Sequence, residues 1–478
     1  MFEEIGNFIV TIADFLCGYP LFFLLIGGGL YLFIASGAVS LRRLPVSVRE
    51  LRHKSSNKDT GQISSAQALL SAVAGTVGLG NIAGVAIALV VGGPGAIFWM
   101  WVSALVGMCT KYHEGALTIM YKGSDPDGNP RGGIMYIIEK AFGPRWKPLA
   151  VFFAVSGMFG TLCIINANQL TEAVISTFTT PDALADNAFL DNMGFITGLG
   201  AEGSFRLIFG MAIALIVALV VLRGVTRIAR VATILVPFMV GIYFLMVAYI
   251  IATNIHAVPE VFNRIFSEAF NLQAGFGAFA GIAIIGARRA ALVNDAGIGT
   301  ASIMHGASRN TEPVREGLVA MLGPALDSGL VCTLTAVALL LCADFSNVQG
   351  VEGLSIAMDA FNRAIPGGAY MLMVVVFCFS LSSMFSYSYY GTSCATYLFG
   401  ARKARFYTWG FILTLVVFAI IPVGVAVGLT DLFYAFMAIP AMTTILVLSG
   451  RVRKATRNYF SKDKKKSPNP DNRTTQQS

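Results

Sequence analysis

Two stretches of this chain place clusters of glycine in apolar surroundings, where the backbone itself can become a ligand. SAQALLSAVAGTVGLGNIAGVAIALV holds Gly75, Gly78, Gly80 and Gly84, and EAFNLQAGFGAFAGIAIIGA holds Gly275, Gly277, Gly281 and Gly286. Each glycine costs a helix interior about 1 kcal/mol against alanine. Clusters at matching positions therefore predict interrupted helices, although close helix packing also uses glycine. An interruption frees peptide carbonyls that suit a cation, while the N-terminal end of a half-helix suits an anionic group. A zwitterion held beside a hard cation such as Na⁺ would use both. The polar side chains that could join them are Asp327 with Ser328, Thr333 and Thr335, Glu172, and Ser382 and Ser383 within CFSLSSMFSYSYYGTS. Such groups are costly in lipid and so point to function, with helix–helix hydrogen bonds and back-bonding to their own helix as the alternatives. Other motifs fall away. KYHEGAL lacks the second His of HExxH, so Lys111, His113 and Glu114 read as packing or ion-pair residues at a span end. GLGNIAG has no strand before it, and no GxSxG is present, so neither an enzyme nor a nucleotide fold is expected.

These residues need elements to hold them, and composition says where. Of 478 residues, 55% are hydrophobic and 13% charged, against about 25% charged in a soluble domain. The excess apolar surface must face lipid. Eleven runs are long enough to cross a bilayer, which needs about 20 residues: 8–36, 65–91, 96–121, 149–178, 205–222, 228–252, 269–287, 317–342, 370–399, 406–428 and 432–448. Connections alternate in charge: 31 of the 34 Lys and Arg fall after odd-numbered runs or in the tail, leaving Arg206, Arg264 and Arg363 opposite. Positive charge marks the cytoplasmic side, which predicts an outer N-terminus and a cytoplasmic C-terminus in the plasma membrane. The net charge of +8 is thus a topology signal, and no nucleic-acid partner is expected. Glu3 and Glu4 precede the first run where a signal peptide would carry Lys or Arg. The seven cysteines, scattered in apolar runs, read as small hydrophobes.

The glycine-rich runs are the second and the seventh, so each opens a set of five. Five is odd, and the two sets must cross in opposite senses, which is the pattern of an inverted repeat. The expected fold is all-α: a polytopic membrane protein of eleven transmembrane helices, a 5+5 inverted-repeat core preceded by one extra helix. Residues 1–62 form the extra helix and loop, 63–253 and 254–450 the repeats, and 451–478 a disordered basic tail.

AVAGTVGLGNIAGVA with GGPGAIFWMW resembles the alanine/glycine:cation symporters, and is similar to the unwound first core helix of the neurotransmitter–sodium symporters. The resemblance runs on through KYHEGALTIMY, RGGIMYIIEKAFG, GARRAALVNDAGIGTASIMHG, LDSGLVCTLTAVALL and SYSYYGTSCATYLFG, in order, over nearly all of the chain after the first span. It implies Na⁺-coupled uptake of a small neutral amino acid by alternating access. It further implies that the substrate carboxylate meets Gly78, Leu79 and Gly80, with Thr76 and Asn81 at a nearby sodium position. The carbonyls of Ala74 and Val77 with Ser382 and Ser383 would form a second sodium position. The stretch Gly275–Gly281 would cover the substrate, with Phe276, Gly277 and Phe279 beside it and Phe276 or Phe279 as a gate, while Asn166 and Tyr387 would line the pocket. This chain reads Asn166-Ala167-Asn168 where the family usually has Gln-Ala-Asn, and Val293-Asn294-Asp295-Ala296-Gly297 for Ser-Asn-Glu-Ala-Gly. It likewise has Tyr387 for a Trp, Thr392 for a Glu and Leu79 for a Thr. The altered pocket leaves open a different small zwitterion or a larger amino acid.

Energetics allow one ion per solute. One charge crossing 100 mV yields about 2.3 kcal/mol, and a tenfold Na⁺ gradient about 1.4 kcal/mol. Together, roughly 3.7 kcal/mol supports about 500-fold accumulation of a neutral solute. The alternatives are proton coupling through Asp327, a passive channel, and a sensor that binds without carrying. The expected partners are the amino-acid substrate and the lipid bilayer, with no obligate protein partner evident.

Overall fold

Ser64 begins the first interrupted span with a reciprocal cap: its hydroxyl accepts from Gln67 N at 3.2 Å, while Gln67 Oε1 accepts from Ser64 N at 3.0 Å. Two orphan amides of the first turn are thereby satisfied. The helix that follows, Ser65–Thr76, stops where Val77 turns extended (ψ 98°), and a second helix, Gly80–Gly92, leaves at 59° to it. The predicted interruption of the second span is present.

The computed structural model describes residues 11–13, 15–51, 62–125, 128–179, 186–270, 276–345, 353–421 and 423–466. Its main helices are α1 (Thr11–Ala35), α2 (Ser65–Thr76), α3 (Gly80–Gly92), α4 (Gly95–Met120), α5 (Lys147–Gly160), α6 (Ile164–Phe178) and α7 (Gly200–Val221). They continue with α8 (Val225–Thr253), α9 (Phe276–Val293), α10 (Thr300–Gly306), α11 (Pro313–Cys342), α12 (Gly368–Phe399), α13 (Ala401–Phe418) and α14 (Val423–Lys466). Among the described residues, the strands are a two-residue antiparallel pair, β1 (Gly123–Ser124) and β2 (Pro130–Arg131). Among the described residues, seven helical stretches, with α5 and α6 counted as one, are long and apolar enough to cross a membrane, and α2 with α3 adds an eighth, bent one. Helices α4, α9 and α13 lie on the remaining apolar runs.

Apolar side chains face outward as lipid requires. On α7 Met211, Leu215, Ile216 and Leu219 are exposed, at helical spacing along one face, and α8 exposes Ile234, Phe238, Phe244 and Leu245. Water would not tolerate a patch of this size on a monomer. The protein interior is filled by chains such as Tyr243, which bonds Thr335 at 2.7 Å and packs against Phe361 and Phe379.

The seventh span corrects the expectation. Helix α9 runs unbroken through Gly277, Gly281 and Gly286 to Val293, and the interruption comes later, at residues 294–299, before α10. Gly286 within α9 serves packing: a Cβ there would lie 2.2 Å from the Ala96 carbonyl oxygen of α4. The later turn uses left-handed backbone at Asp295 (φ 52°), Gly297 (φ 88°) and Gly299 (φ 98°), a region that glycine enters without strain. Run seven therefore ends later than predicted, and Arg288 and Arg289, assigned to a loop by their charge, lie within α9. A further interruption, unforeseen, separates α5 from α6 at Thr161–Cys163, with Cys163 at φ 55°.

Candidate functional site

The two main interruptions come together. A Cβ on Gly80, the first residue of α3, would touch Val293 Cγ2, the last residue of α9, at 3.4 Å. Around this junction the polar side chains divide into three groups.

The first lies on α2 and α12. Ser382 Oγ donates to the Ala74 carbonyl at 2.9 Å, and Ser383 Oγ donates to the carbonyls of Gly75 (3.0 Å) and Ala74 (3.4 Å). Three of the four predicted contributors, Ala74, Ser382 and Ser383, thus converge, and their oxygens are of the hard type that Na⁺ prefers. Val77 follows directly as the extended residue of the break.

The second group is built on wide helical turns, a feature common at functional sites. Asn81 sits in the turn Gly80–Gly84 and Asp327 in the turn Ala325–Val331. The Asn81 side-chain amide donates to Asp327 Oδ1, and its Oδ1 accepts from Gly78 N at 2.9 Å. Thr76 stands beside the same carboxylate. Asp327 Oδ2 is buried with no donor in bonding geometry. Thr76 and Asn81 are thus brought together as predicted, with Asp327 as their anionic partner. The Gly78 amide is occupied by Asn81, which leaves Leu79 and Gly80, at the N-terminal end of α3, as the amides open to an anionic group.

The third group lies at the second interruption. Tyr387 Oη donates to Asp295 Oδ2 at 2.5 Å, Tyr434 Oη donates to Tyr387 Oη at 2.6 Å, and Thr300 donates to Asp295 at 3.2 Å. Asn294 donates to Ser328 at 3.2 Å. Glu114 of α4 accepts from Gly297 N at 2.7 Å and so satisfies an amide that the break releases, while its Oε2 is buried without a partner. The charge of Lys111, one helical turn from Glu114 and buried, acts on Glu114, Asp295 and Asp327 alike. Three carboxyl groups face this one ammonium, and with more than one of them ionised a cation would balance the charge.

The pocket walls agree in part with expectation. A Cβ on Gly78 would lie 2.9 Å from Ser383 Oγ and 3.8 Å from Asn166 Nδ2, and one on Gly75 would lie 3.3 Å from Tyr387 Cε2. Asn166 and Tyr387 therefore flank the first break, Asn166 from the first turn of α6. Gly275 lies outside the described residues. Phe276 and Gly277 open a continuous helix, and Phe279 packs edge-on against Trp99 at 5.6 Å, away from the interruption at 294–299. Glu172 is half-exposed and pairs with Arg206 at 2.6 Å, a surface ion pair.

Asn294, Asp295, Glu114 and Lys111 escaped the sequence reading as ligands. Lys111 and Glu114 share one face of an apolar helix, and the expense of charge in such a helix was the available signal. Asp295 and Asn294 were hidden by placing the break ten or more residues too early. The space between Thr76, Lys111, Asn294 and His305 is about 10 Å³, no larger than one water needs.

Broken helices meeting across a bundle, with unpartnered oxygens at the breaks, define a membrane carrier of the inverted-repeat class. The fold matches the crystal structure of MhsT in complex with L-phenylalanine with a TM-score of 0.51, over 82% of this chain and 88% of that one, at 16% identity. The model of the sodium:alanine symporter family matches residues 2–474. The sodium/alanine symporter AgcS of Methanococcus maripaludis is 36% identical over 95% of this chain and 97% of its own. The amino-acid carrier protein AlsT of Bacillus subtilis is 32% identical over 97% of this chain and 94% of its own. The chain belongs to the sodium:alanine symporter family.

Proposed function

We infer that this protein is a Na⁺-coupled symporter that imports a small neutral amino acid by alternating access. The observation that carries the reading is the pair of buried, unpartnered carboxylate oxygens, Asp327 Oδ2 and Glu114 Oε2, at two helix interruptions that meet. One Na⁺ would lie between the Asp327 carboxylate, Thr76 and Asn81, and the Ala74 and Val77 carbonyls with Ser382 and Ser383 would supply another position. The amides of Leu79 and Gly80 would receive the substrate carboxylate, Gly78 would give it room, and Asn166 and Tyr387 would bound its side chain. Residues 63–253 and 254–450 act as the two halves of the core, with the N-terminus outside and the C-terminus in the cytoplasm.

Uptake into proteoliposomes tests the reading. Alanine or glycine accumulation should rise steeply with external Na⁺, and Asp327→Asn should abolish that rise while the protein remains folded. Uptake indifferent to Na⁺ but driven by an inward proton gradient would replace Na⁺ with H⁺ as the coupling ion. Conductance without saturation would replace the carrier with a channel, and binding without uptake would leave only a sensor.

A further inference from the structure

A cavity of about 530 Å³, which shares no lining residue with the helix breaks, lies where the end of α1, the turn after it, the last half of α4 and the polar extension of α14 meet. Four of its lining residues are Arg42, Arg43, Arg453 and Arg457, and among the described residues no carboxylate lines it. Among the described residues none of the four forms an ion pair, whereas nearby Glu50 is committed to Arg315 at 2.9 Å. Arg453 Nε is buried without any acceptor. Arg43 is held in place by stacking its guanidinium on the Phe460 ring, 3.8 Å from the centroid. Four like charges gathered round one space, one of them partly desolvated, repel each other unless an anion joins them.

The surroundings say which anion. The cavity opens beside Ile34, whose side chain is 69% exposed, and the lipid-facing row Leu30, Tyr31 and Ile34 of α1 leads into it. A ligand there has acyl chains to lay on α1 and a charged group to place among arginines. Basic pockets between membrane helices recognise lipid phosphates in this way. We propose that this cavity binds the phosphate of an anionic phospholipid, and that the lipid fastens α1 and α14 to α4. A zwitterionic lipid brings the same phosphate together with a cation that the four arginines repel, so the site discriminates by net charge.

The test is thermal unfolding of the purified protein in detergent at constant Na⁺, with dioleoylphosphatidylglycerol, dioleoylphosphatidylcholine or potassium phosphate added in separate arms. The phosphatidylglycerol arm should raise the midpoint by several degrees more than the phosphatidylcholine arm, and potassium phosphate should leave it unchanged. In R453Q/R457Q the concentration of phosphatidylglycerol for half effect should increase at least tenfold. If that variant does not fold, R42Q/R43Q takes its place, and native mass spectrometry of the wild type should find phosphatidylglycerol retained in preference to phosphatidylcholine. Equal shifts with both lipids, an undiminished shift in the variants, or equal retention would overturn the proposal. A full shift from potassium phosphate would reassign the cavity to a free anion.

Discussion

Ser382 shows how little separates a structural contact from a ligand. Its hydroxyl donates to the Ala74 carbonyl at 2.9 Å and also to Phe379 O at 2.9 Å, and the same oxygen has lone pairs for a cation. Ser382→Ala should raise the Na⁺ concentration for half-maximal uptake about tenfold, equivalent to about 1.4 kcal/mol, with little loss of thermal stability. Lys111 works in the other sense, since its charge offsets Glu114, Asp295 and Asp327. In Lys111→Gln the half-saturating Na⁺ concentration should fall several-fold, and an unchanged or increased value would remove Lys111 from the cation balance. Outside the spans, Asp125 is opposed by burial but accepts from Asn129 and Arg131, and these bonds hold its carboxyl below the usual range. Its contribution to stability is complete above the ordinary carboxylate pKa and is lost as pH falls through the lowered one. Asp125→Asn should cost about 2 kcal/mol at neutral pH, and the deficit in the unfolding midpoint should close at acid pH.

At the scale of elements, glycine has two uses that look identical in a sequence. In the turn after α9 Gly297 and Gly299 permit left-handed backbone; within α9 Gly286 permits contact. Gly286→Ala forces a methyl toward the Ala96 carbonyl at 2.2 Å, and such overpacking costs about 1–3 kcal/mol. A lower unfolding midpoint with unchanged Na⁺ affinity is expected. Gly78→Ala crowds Ser383 at 2.9 Å instead, and should disturb Na⁺ dependence more than stability. Reversal of the two outcomes would contradict the division between packing and site glycines. The second break also shows why the charged pair on α4 is buried: Glu114 caps the Gly297 amide that the turn exposes.

For the whole molecule the central expectation is reciprocity. If ion and solute share one closed arrangement, each must strengthen the binding of the other by the same factor. Thermal unfolding with alanine or glycine, with and without Na⁺, should give a shift for the pair greater than the two separate shifts combined. Additive shifts would mean independent sites and would argue against coupling.

The sequence alone determined the class and pointed to candidate residues at one of the two breaks. Hydropathy and glycine clustering depend on chain order, so membrane helices and a break near Gly78 could be read directly. Thr76, Asn81, Ser382 and Ser383 were legible because each adjoins or pairs with that break in a recognisable motif. Only tertiary structure decided which glycines of the seventh span pack and which turn, because that depends on the distance from Gly286 to Ala96 of another helix. It also decided the meeting of Asp327 with Asn81 and of Asp295 with Tyr387, 246 and 92 residues apart in the chain. Partners so distant leave no local pattern; burial in a shared interior, where an unpaired charge is costly, selects them.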